Sequence, residues 1–363
     1  MAARVKPPRR VRSRAPLRMS LAGGGTDVSP YPENFGGAVL SVTINRYAWC
    51  SISEAESDEV TVRSLDLDQV ATFASSATPV FDGNLDLVKA VFGRLRVPQL
   101  GGLRVILQSD APPGSGLGSS SALVVATISA LSTYFGLELT PQEIAQVAYV
   151  IEREDLGIAG GMQDQYAAAY GGFNFMEFAN GAVEVLPLRL SPSTRQEFES
   201  CILLCFTGTT RASSGILERQ IGNVSSGRHE TMASLHRLKE LAVEIRRALH
   251  GDDLVTTASL LDEAWQVKKD LADGISDPRL DTIHRVAKRN GALGGKLLGA
   301  GGGGYFLFIV DPERREEVAA SLWPVGVSVS RSVEFCDKGV LSWEAPRVRN
   351  ELPEAFAAAR PTC

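Results

Sequence analysis

The chain has 363 residues, 44% of them hydrophobic, and its 37 Lys and Arg against 42 Asp and Glu give a formal net charge of −5. That is enough apolar material for two packed domains or one large α/β unit, and the slight acidity lacks the basic footprint of a nucleic-acid or anionic-membrane binder, so a small ligand is the better expectation. The five cysteines, at 50, 201, 205, 336 and 363, form no CxxC pair, no apolar run is long enough to cross a bilayer, and the amino terminus lacks the apolar core of a signal peptide; reduced thiols in a cytoplasmic protein are expected.

Arg4, Lys6, Arg9, Arg10, Arg12 and Arg14 crowd the start with no acidic residue among them, which predicts a solvated, flexible tail over residues 1–12. Residues 38–52 are β-branched and apolar with alternation, and 61–62 and 103–108 read as further strands. A turn-rich stretch, 109–118, leads into an almost wholly apolar segment, 122–135, that suits a buried helix. Thr140 with Glu143 forms a capping-box pattern, Pro141 takes the first helical position, and Ile144, Val147, Ala148 and Ile151 line one face of a helix that Gly157 should end. A short helix from about Asp164 to the Gly171-Gly172 pair and a strand over 173–178 follow. Beyond a strand at 202–206, residues 230–249, 253–271 and 278–290 have helical periodicity and plentiful charge. The chain then runs through a glycine-rich turn, a strand at 305–310, a helix at 312–322 and a strand at 325–335. That order predicts a second domain of α+β layers, helical first.

Three stretches carry chemistry. In Pro112-Pro113-Gly114-Ser115-Gly116-Leu117-Gly118-Ser119-Ser120-Ser121-Ala122, between a strand and a buried helix, glycines let backbone N–H groups approach an anion while the helix aims its positive end at the same spot. Phosphate is the natural occupant, and hydroxyls of Ser119, Ser120 or Ser121 suit a phosphate oxygen or Mg²⁺; a serine-capped helix after a flexible turn is the plainer alternative. Other phosphate loops fail: the one Walker-like segment has Asn290 for its first glycine and Leu297 after Lys296, and the GxGxxG of Gly299, Gly301 and Gly304 precedes a strand instead of opening a helix. The second stretch, Gly299-Ala300-Gly301-Gly302-Gly303-Gly304, marks a place where backbone passes close to a ligand or another segment. In the third, Ala15-Pro16-Leu17-Arg18-Met19-Ser20-Leu21-Ala22-Gly23-Gly24-Gly25-Thr26-Asp27, Arg18 offers a charged fork for phosphate or carboxylate and Asp27 can accept hydrogen bonds from sugar hydroxyls.

In this order the three stretches resemble the signature motifs of the GHMP kinases, the superfamily of galactokinase, homoserine kinase, mevalonate kinase and phosphomevalonate kinase, over residues 13–335. The resemblance implies an α+β protein with an amino-terminal domain of ribosomal-protein-like fold (13–200), a ferredoxin-like carboxy-terminal domain (201–345), a tail (346–363) and an active site between the domains. It implies ATP and Mg²⁺ as cofactors, with the ATP phosphates held by the loop from Pro113 to Ser121 and the metal by Ser120 and Glu152. Asp164, in Gly161-Met162-Gln163-Asp164-Gln165, falls at the catalytic aspartate, with Arg18 as its partner near the transferred phosphoryl group. Gly23, Gly24, Gly25, Thr26, Asp27, Gly301 and Gly302 fall on the acceptor side.

Within the superfamily, Leu21 to Tyr31 and Gly294 to Gly304 are most similar to bacterial D-glycero-D-manno-heptose 7-phosphate kinases, which phosphorylate the anomeric C1 hydroxyl in nucleotide-activated heptose biosynthesis. Gly24 and Gly25 stand where galactokinase carries Glu-His, which speaks against galactose and opens space for a larger sugar. A phosphorylated acceptor needs cations at its distal end, and Arg211, Lys268, Lys269 and Lys296 are the candidates. An L-fucokinase-like sugar-1-kinase or a non-catalytic ATP sensor on the same fold are the alternatives, and a monomer or homodimer is expected.

Overall fold

Val11, Ser13, Ala15 and Leu17 are buried while Arg10 and Arg12 are exposed, so the basic run is the outer face of a strand, β1 (Arg10–Ala22). This corrects the expected tail at residues 10–12: a charge at every second position reads as a solvated run until the intervening residues find a core. Arg14 lies 4.5 Å from the ring centroid of Tyr47, and the Arg9 Nε donates to Glu344 Oε1 at 2.8 Å. The computed structural model describes residues 9–75, 79–95, 102–210, 214–330 and 332–346; residues 1–8 of the tail and the 347–363 segment lie outside it.

Among the described residues the first sheet has eight strands: β1, β2 (Gly37–Glu54), β3 (Glu59–Ser64), β4 (Gln69–Ala74), β5 (Leu103–Ser109), β6 (Phe173–Ala179), β7 (Ala182–Pro187) and, from the far end of the chain, β12 (Leu341–Glu344). Its order is β12-β1-β2-β5-β3-β4, with β6 on β2 and β7 on β6. The 18 residues of β2 serve two partners in turn, β6 through its first part and β5 through its last. Helices α1 (Tyr31–Phe35), α2 (Asp86–Leu95), α3 (Ser119–Phe135), α4 (Pro141–Val150), α5 (Gln163–Tyr170) and α6 (Pro192–Cys201) accompany this sheet. The capping box predicted at Thr140 and Glu143 forms, and α4 runs on into a π-turn, Ile151–Asp155, before Gly157 takes a positive φ of 62°.

The second sheet is antiparallel, β11-β8-β10-β9, from β8 (Ile202–Phe206), β9 (Ala292–Leu297), β10 (Tyr305–Val310) and β11 (Ser328–Ser330), and it is joined by α7 (Ser214–Ser225), α8 (His229–His250), α9 (Leu254–Lys269), α10 (Pro278–Arg289) and α11 (Arg315–Leu322). Its central strands are apolar on both faces for a reason. Ile202, Leu204, Leu307 and Ile309 join the core of the first domain, whereas Leu203, Cys205, Phe306 and Phe308 join the core of the second. Each such side chain contributes about 1.5–3 kcal/mol on burial, so the two domains are welded through this sheet.

The expected strand at 325–335 is only β11, and it is short because the chain leaves the sheet to return to the first domain. The Cys336 N–H donates to the Thr43 carbonyl at 2.9 Å, and β12 pairs antiparallel with β1, Val11 opposite Glu344. Residues 332–346 are therefore part of the first sheet's neighbourhood, not of the domain drawn over 201–345.

Candidate active site

The two domains leave between them a cleft with about 1080 Å³ of empty space, partly open to solvent. One wall is the loop before α3. Gly114, Gly116 and Gly118 have φ of 72°, 84° and 72°, a left-handed conformation that glycine adopts without strain. Gly118 is the N-cap, and among the described residues no side chain caps the helix, so the first-turn N–H groups of α3 keep their donors for a ligand. The glycine run at 299–304 packs against this loop. A Cβ on Gly116 would sit 2.5 Å from the Leu298 carbonyl oxygen, and one on Gly304 would sit 2.3 Å from that of Ser115. The Tyr305 N–H donates to the same Ser115 carbonyl at 3.0 Å. The run thus serves a close approach of backbone to backbone, fixing the loop from the second domain.

Facing that wall, Arg18 on β1 and Asp164 at the start of α5 form a two-point fork: Nε donates to Oδ1 and Nη2 to Oδ2, each at 2.8 Å. The remaining Arg18 nitrogen, Nη1, donates to the Gly116 carbonyl at 2.5 Å. Arg18 is 4% exposed and the Asp164 side chain 24%, so a buried cation holds a carboxylate that reaches the cleft and ties it to the loop.

Asp27 is buried at the back of the cleft. Its Oδ1 accepts from the Gly25 N–H at 3.1 Å and Gln163 Nε2 at 3.3 Å, and its Oδ2 from the Gln163 N–H at 3.1 Å. Burial pushes its pKa up, and the nearby Asp164 carboxylate adds to this. Gly161 is required here, since a Cβ would lie 1.9 Å from Asp27 Oδ2.

Glu152 sits on the π-turn, a backbone feature that often marks functional positions. It is 3% exposed; Ser121 Oγ donates to its Oε2 at 3.0 Å, and Arg153 Nη2 lies 3.3 Å from the same oxygen. Among the described residues its buried Oε1 has no hydrogen-bond partner, and burial raises its pKa. A bare carboxylate oxygen beside a serine-rich helix start is a hard oxygen donor of the kind Mg²⁺ takes, so these residues fit that ion. Ser121 rather than Ser120 meets Glu152; Ser120 is exposed and lines the cleft.

Two lysines complete the far wall. Lys296 on β9, 3% exposed, donates to the carbonyls of Ser20 and Leu21 at 2.9 and 3.0 Å. Lys268 in the last turn of α9, 7% exposed, donates to the Gly299 carbonyl. Burial lowers the pKa of Lys268 to about 8, with Arg18 repelling and Asp27 opposing the drop. Lys296 is pushed well below its ordinary value by burial, then by Lys268 and Arg18.

The structure brings together Arg18, Gly24, Gly25, Asp27, the loop residues Gly114, Gly116 and Gly118–Ser121, Glu152, Asp164, Lys268, Lys296 and Gly301 around one cleft. Other expected acceptor residues serve the fold. Thr26 Oγ1 donates to the Gly23 and Ala38 carbonyls and accepts from the Ala38 N–H, and a Cβ on Gly23 would lie 1.8 Å from the Ala38 oxygen. Lys269 points elsewhere, paired with Asp281 at 2.9 Å and set over the Trp265 ring; successive helix positions face different ways. Gly302 donates to the Ile275 carbonyl, and Arg211 lies outside the described residues. Sequence reasoning missed Ser20, Gln163, Arg153 and Gln220 in the lining, because nothing local distinguishes them from ordinary polar residues.

A backbone phosphate cradle, an arginine-held carboxylate and a bare metal-type oxygen between two α+β domains define a small-molecule phosphotransferase. Family models for the GHMP kinases match the chain with their N-terminal domain at residues 85–172 and their C-terminal domain at 243–324. It is 39% identical over 339 residues to the D-glycero-alpha-D-manno-heptose 7-phosphate kinase of Campylobacter jejuni subsp. jejuni serotype O:2, covering 92% of this chain and 98% of that protein. The chain belongs to the GHMP kinases, and ATP is the phosphoryl donor that membership implies. Among solved structures, a D-glycero-D-manno-heptose 1-phosphate kinase from Bacteroides thetaiotaomicron superposes with a TM-score of 0.78 at 36% identity, covering 93% of this chain and all of that one. A galactose-bound Lactococcus lactis galactokinase, TM-score 0.74 at 20% identity over 92% of this chain and 95% of that one, shares the fold. The L-fucokinase/L-fucose-1-P guanylyltransferase of Bacteroides fragilis is 28% identical over 83% of this chain, which spans 34% of that longer protein.

Proposed function

We propose that this GHMP kinase transfers the γ-phosphoryl group of ATP to the anomeric C1 hydroxyl of a heptose 7-phosphate, giving the 1,7-bisphosphate on a route to nucleotide-activated heptose. The observation that carries the reading is the uncapped start of α3 set across one cleft from Asp164, with Arg18 bonded to Asp164 and to the Gly116 carbonyl of the loop that leads into α3. The acceptor class is supported by the named relatives. Their names share a heptose phosphate, and C1 as the position of the new ester follows the 7-phosphate name, which leaves the anomeric hydroxyl free.

In this reading the N–H groups of the Gly114–Ser121 loop and of the first turn of α3 bind the ATP phosphates. Asp164 accepts a hydrogen bond from the acceptor hydroxyl, aligning its oxygen with the γ-phosphorus. As the new P–O bond forms and the bond to the ADP oxygen breaks, the hydroxyl proton passes to the Asp164 carboxylate. Arg18 offsets the charge on the phosphoryl oxygens. Asp27, through Gly25 and Gln163, holds the two acceptor-side loops at fixed spacing. Ser120 and Glu152 would hold Mg²⁺, which would supply electrostatic neutralisation of the phosphate charge.

The test is ADP release across a panel of hexoses, L-fucose, heptoses and their terminal phosphates, with phosphorus NMR locating the new ester. Heptose 7-phosphate is expected to give the highest kcat/KM, with the new ester at C1. Preference for L-fucose would move the protein to the fucokinase-like class, and ATP binding without turnover on any acceptor would make it a sensor.

A further inference from the structure

Lys268 and Lys296 are more than nine-tenths buried and both line the cleft. After the bonds to Ser20 and Leu21, Lys296 keeps one of its three N–H donors; after the bond to Gly299, Lys268 keeps two. Among the described residues neither has an ion-pair partner, although the neighbouring Lys269 has one in Asp281. The guanidinium beside them, that of Arg18, has its fork filled by Asp164. Buried cations without an ion-pair contact, which repel one another and Arg18 and have only Asp27 opposing, are costly to hold together unless a further anion joins them. Their place narrows its identity: Lys268 is bonded to the carbonyl of Gly299, and a Cβ on Gly299 would lie 2.5 Å from the Gly116 Cα of the phosphate loop.

We infer that Lys268 and Lys296 form an anion site for a phosphoryl dianion at the seam between donor and acceptor. Two ammonium groups reaching across from the second domain match a dianion better than a carboxylate. The dianion has two sources, the γ-phosphoryl group of ATP and the acceptor's own phosphate ester. The site deepens the kinase reading above and rests on it for its acceptor arm only. Burial and mutual repulsion depress both lysines, so an arriving dianion restores their protons and binding takes up hydrogen ions.

Lys268→Met and Lys296→Met, with melting temperature as the folding control, separate the sources. Calorimetry compares a non-hydrolysable ATP analogue with ADP, and kinetics compare a sugar phosphate with the same sugar unphosphorylated. If the ester is held, KM for the sugar phosphate rises about tenfold to a hundredfold and KM for the free sugar is unmoved. If the γ-phosphoryl group is held, affinity for the ATP analogue falls by a similar factor and affinity for ADP does not. Folded variants that retain both wild-type preferences overturn the site. Should the variants unfold, the wild-type protein decides: at pH 8 the calorimetric enthalpy must depend on the buffer's ionisation enthalpy as proton uptake requires, for at least one of the two phosphorylated ligands. Absence of uptake for both overturns the proposal. Normal binding of the ATP analogue with no sugar turned over would sink the sugar-kinase reading alone, and the calorimetric arm would still decide the anion site.

Discussion

The two walls of the cleft are made of different material. The donor wall is backbone: an uncapped helix, three left-handed glycines and a glycine run that locks the loop from behind. The acceptor wall is side chains gathered from distant elements, with Arg18 from β1, Asp164 from α5, and Lys268 and Lys296 from the second domain. A backbone site is contiguous in the chain and tolerates little change in residue type. A side-chain site is assembled by folding and can be retuned one residue at a time, which suits a family that keeps one donor and varies its acceptors.

The comparison breaks most visibly at Asp164. Asp164→Asn is expected to lower kcat by about 10²–10⁴ while leaving ATP affinity within a factor of two or so, read by steady-state kinetics beside calorimetry. Equal losses of both would mean the two walls are not separable. Next, Gly116→Ala strikes the donor wall, where a Cβ meets the Leu298 carbonyl at a positive φ; about 1–3 kcal/mol of stability should be lost with a raised KM for ATP, measured by denaturant unfolding and kinetics. Glu152→Gln keeps the Ser121 hydrogen bond but removes the charge, and should raise the Mg²⁺ concentration for half-maximal rate about tenfold, by magnesium titration at fixed ATP.

A pH profile sharpens the acceptor side. Lys268 faces Arg18, Lys296 and Asp27, and its pKa near 8 means the cation exists below that pH and is lost above it. Affinity for a phosphorylated ligand should therefore fall as pH rises through about 8, and Lys268→Met should flatten that limb; a wild-type profile flat from pH 7 to 9 would contradict it. The smallest effect lies outside both walls. Thr140→Ala opens the capping box of α4 and should cost about 1 kcal/mol with unchanged kinetics, by thermal melting and ADP release.

Much of the fold was legible because its signals are local: the capping box of α4, the apolar run of α3, and the two-sided apolar strands β8 and β10. The strand β1 was hidden behind its alternating arginines, and β12 was unreadable because its partner lies more than 300 residues earlier in the chain. At the site, the phosphate loop, Arg18, Asp27 and Asp164 stood out through motif order. The difference between Lys268 and Lys269 did not, since adjacent residues of one charged helix look alike until the helix acquires a buried face.

By itself the sequence determined the donor chemistry, because glycine's backbone freedom and the orphan N–H groups of a helix start are properties of consecutive residues. Only the tertiary structure decided which charges meet. It turned Lys268 and Lys296 inward and Lys269 out, set Thr26 to bracing a turn, and gave Glu152 to Ser121. Burial and distance between remote residues set their energies, and neither is written in any one segment of the chain.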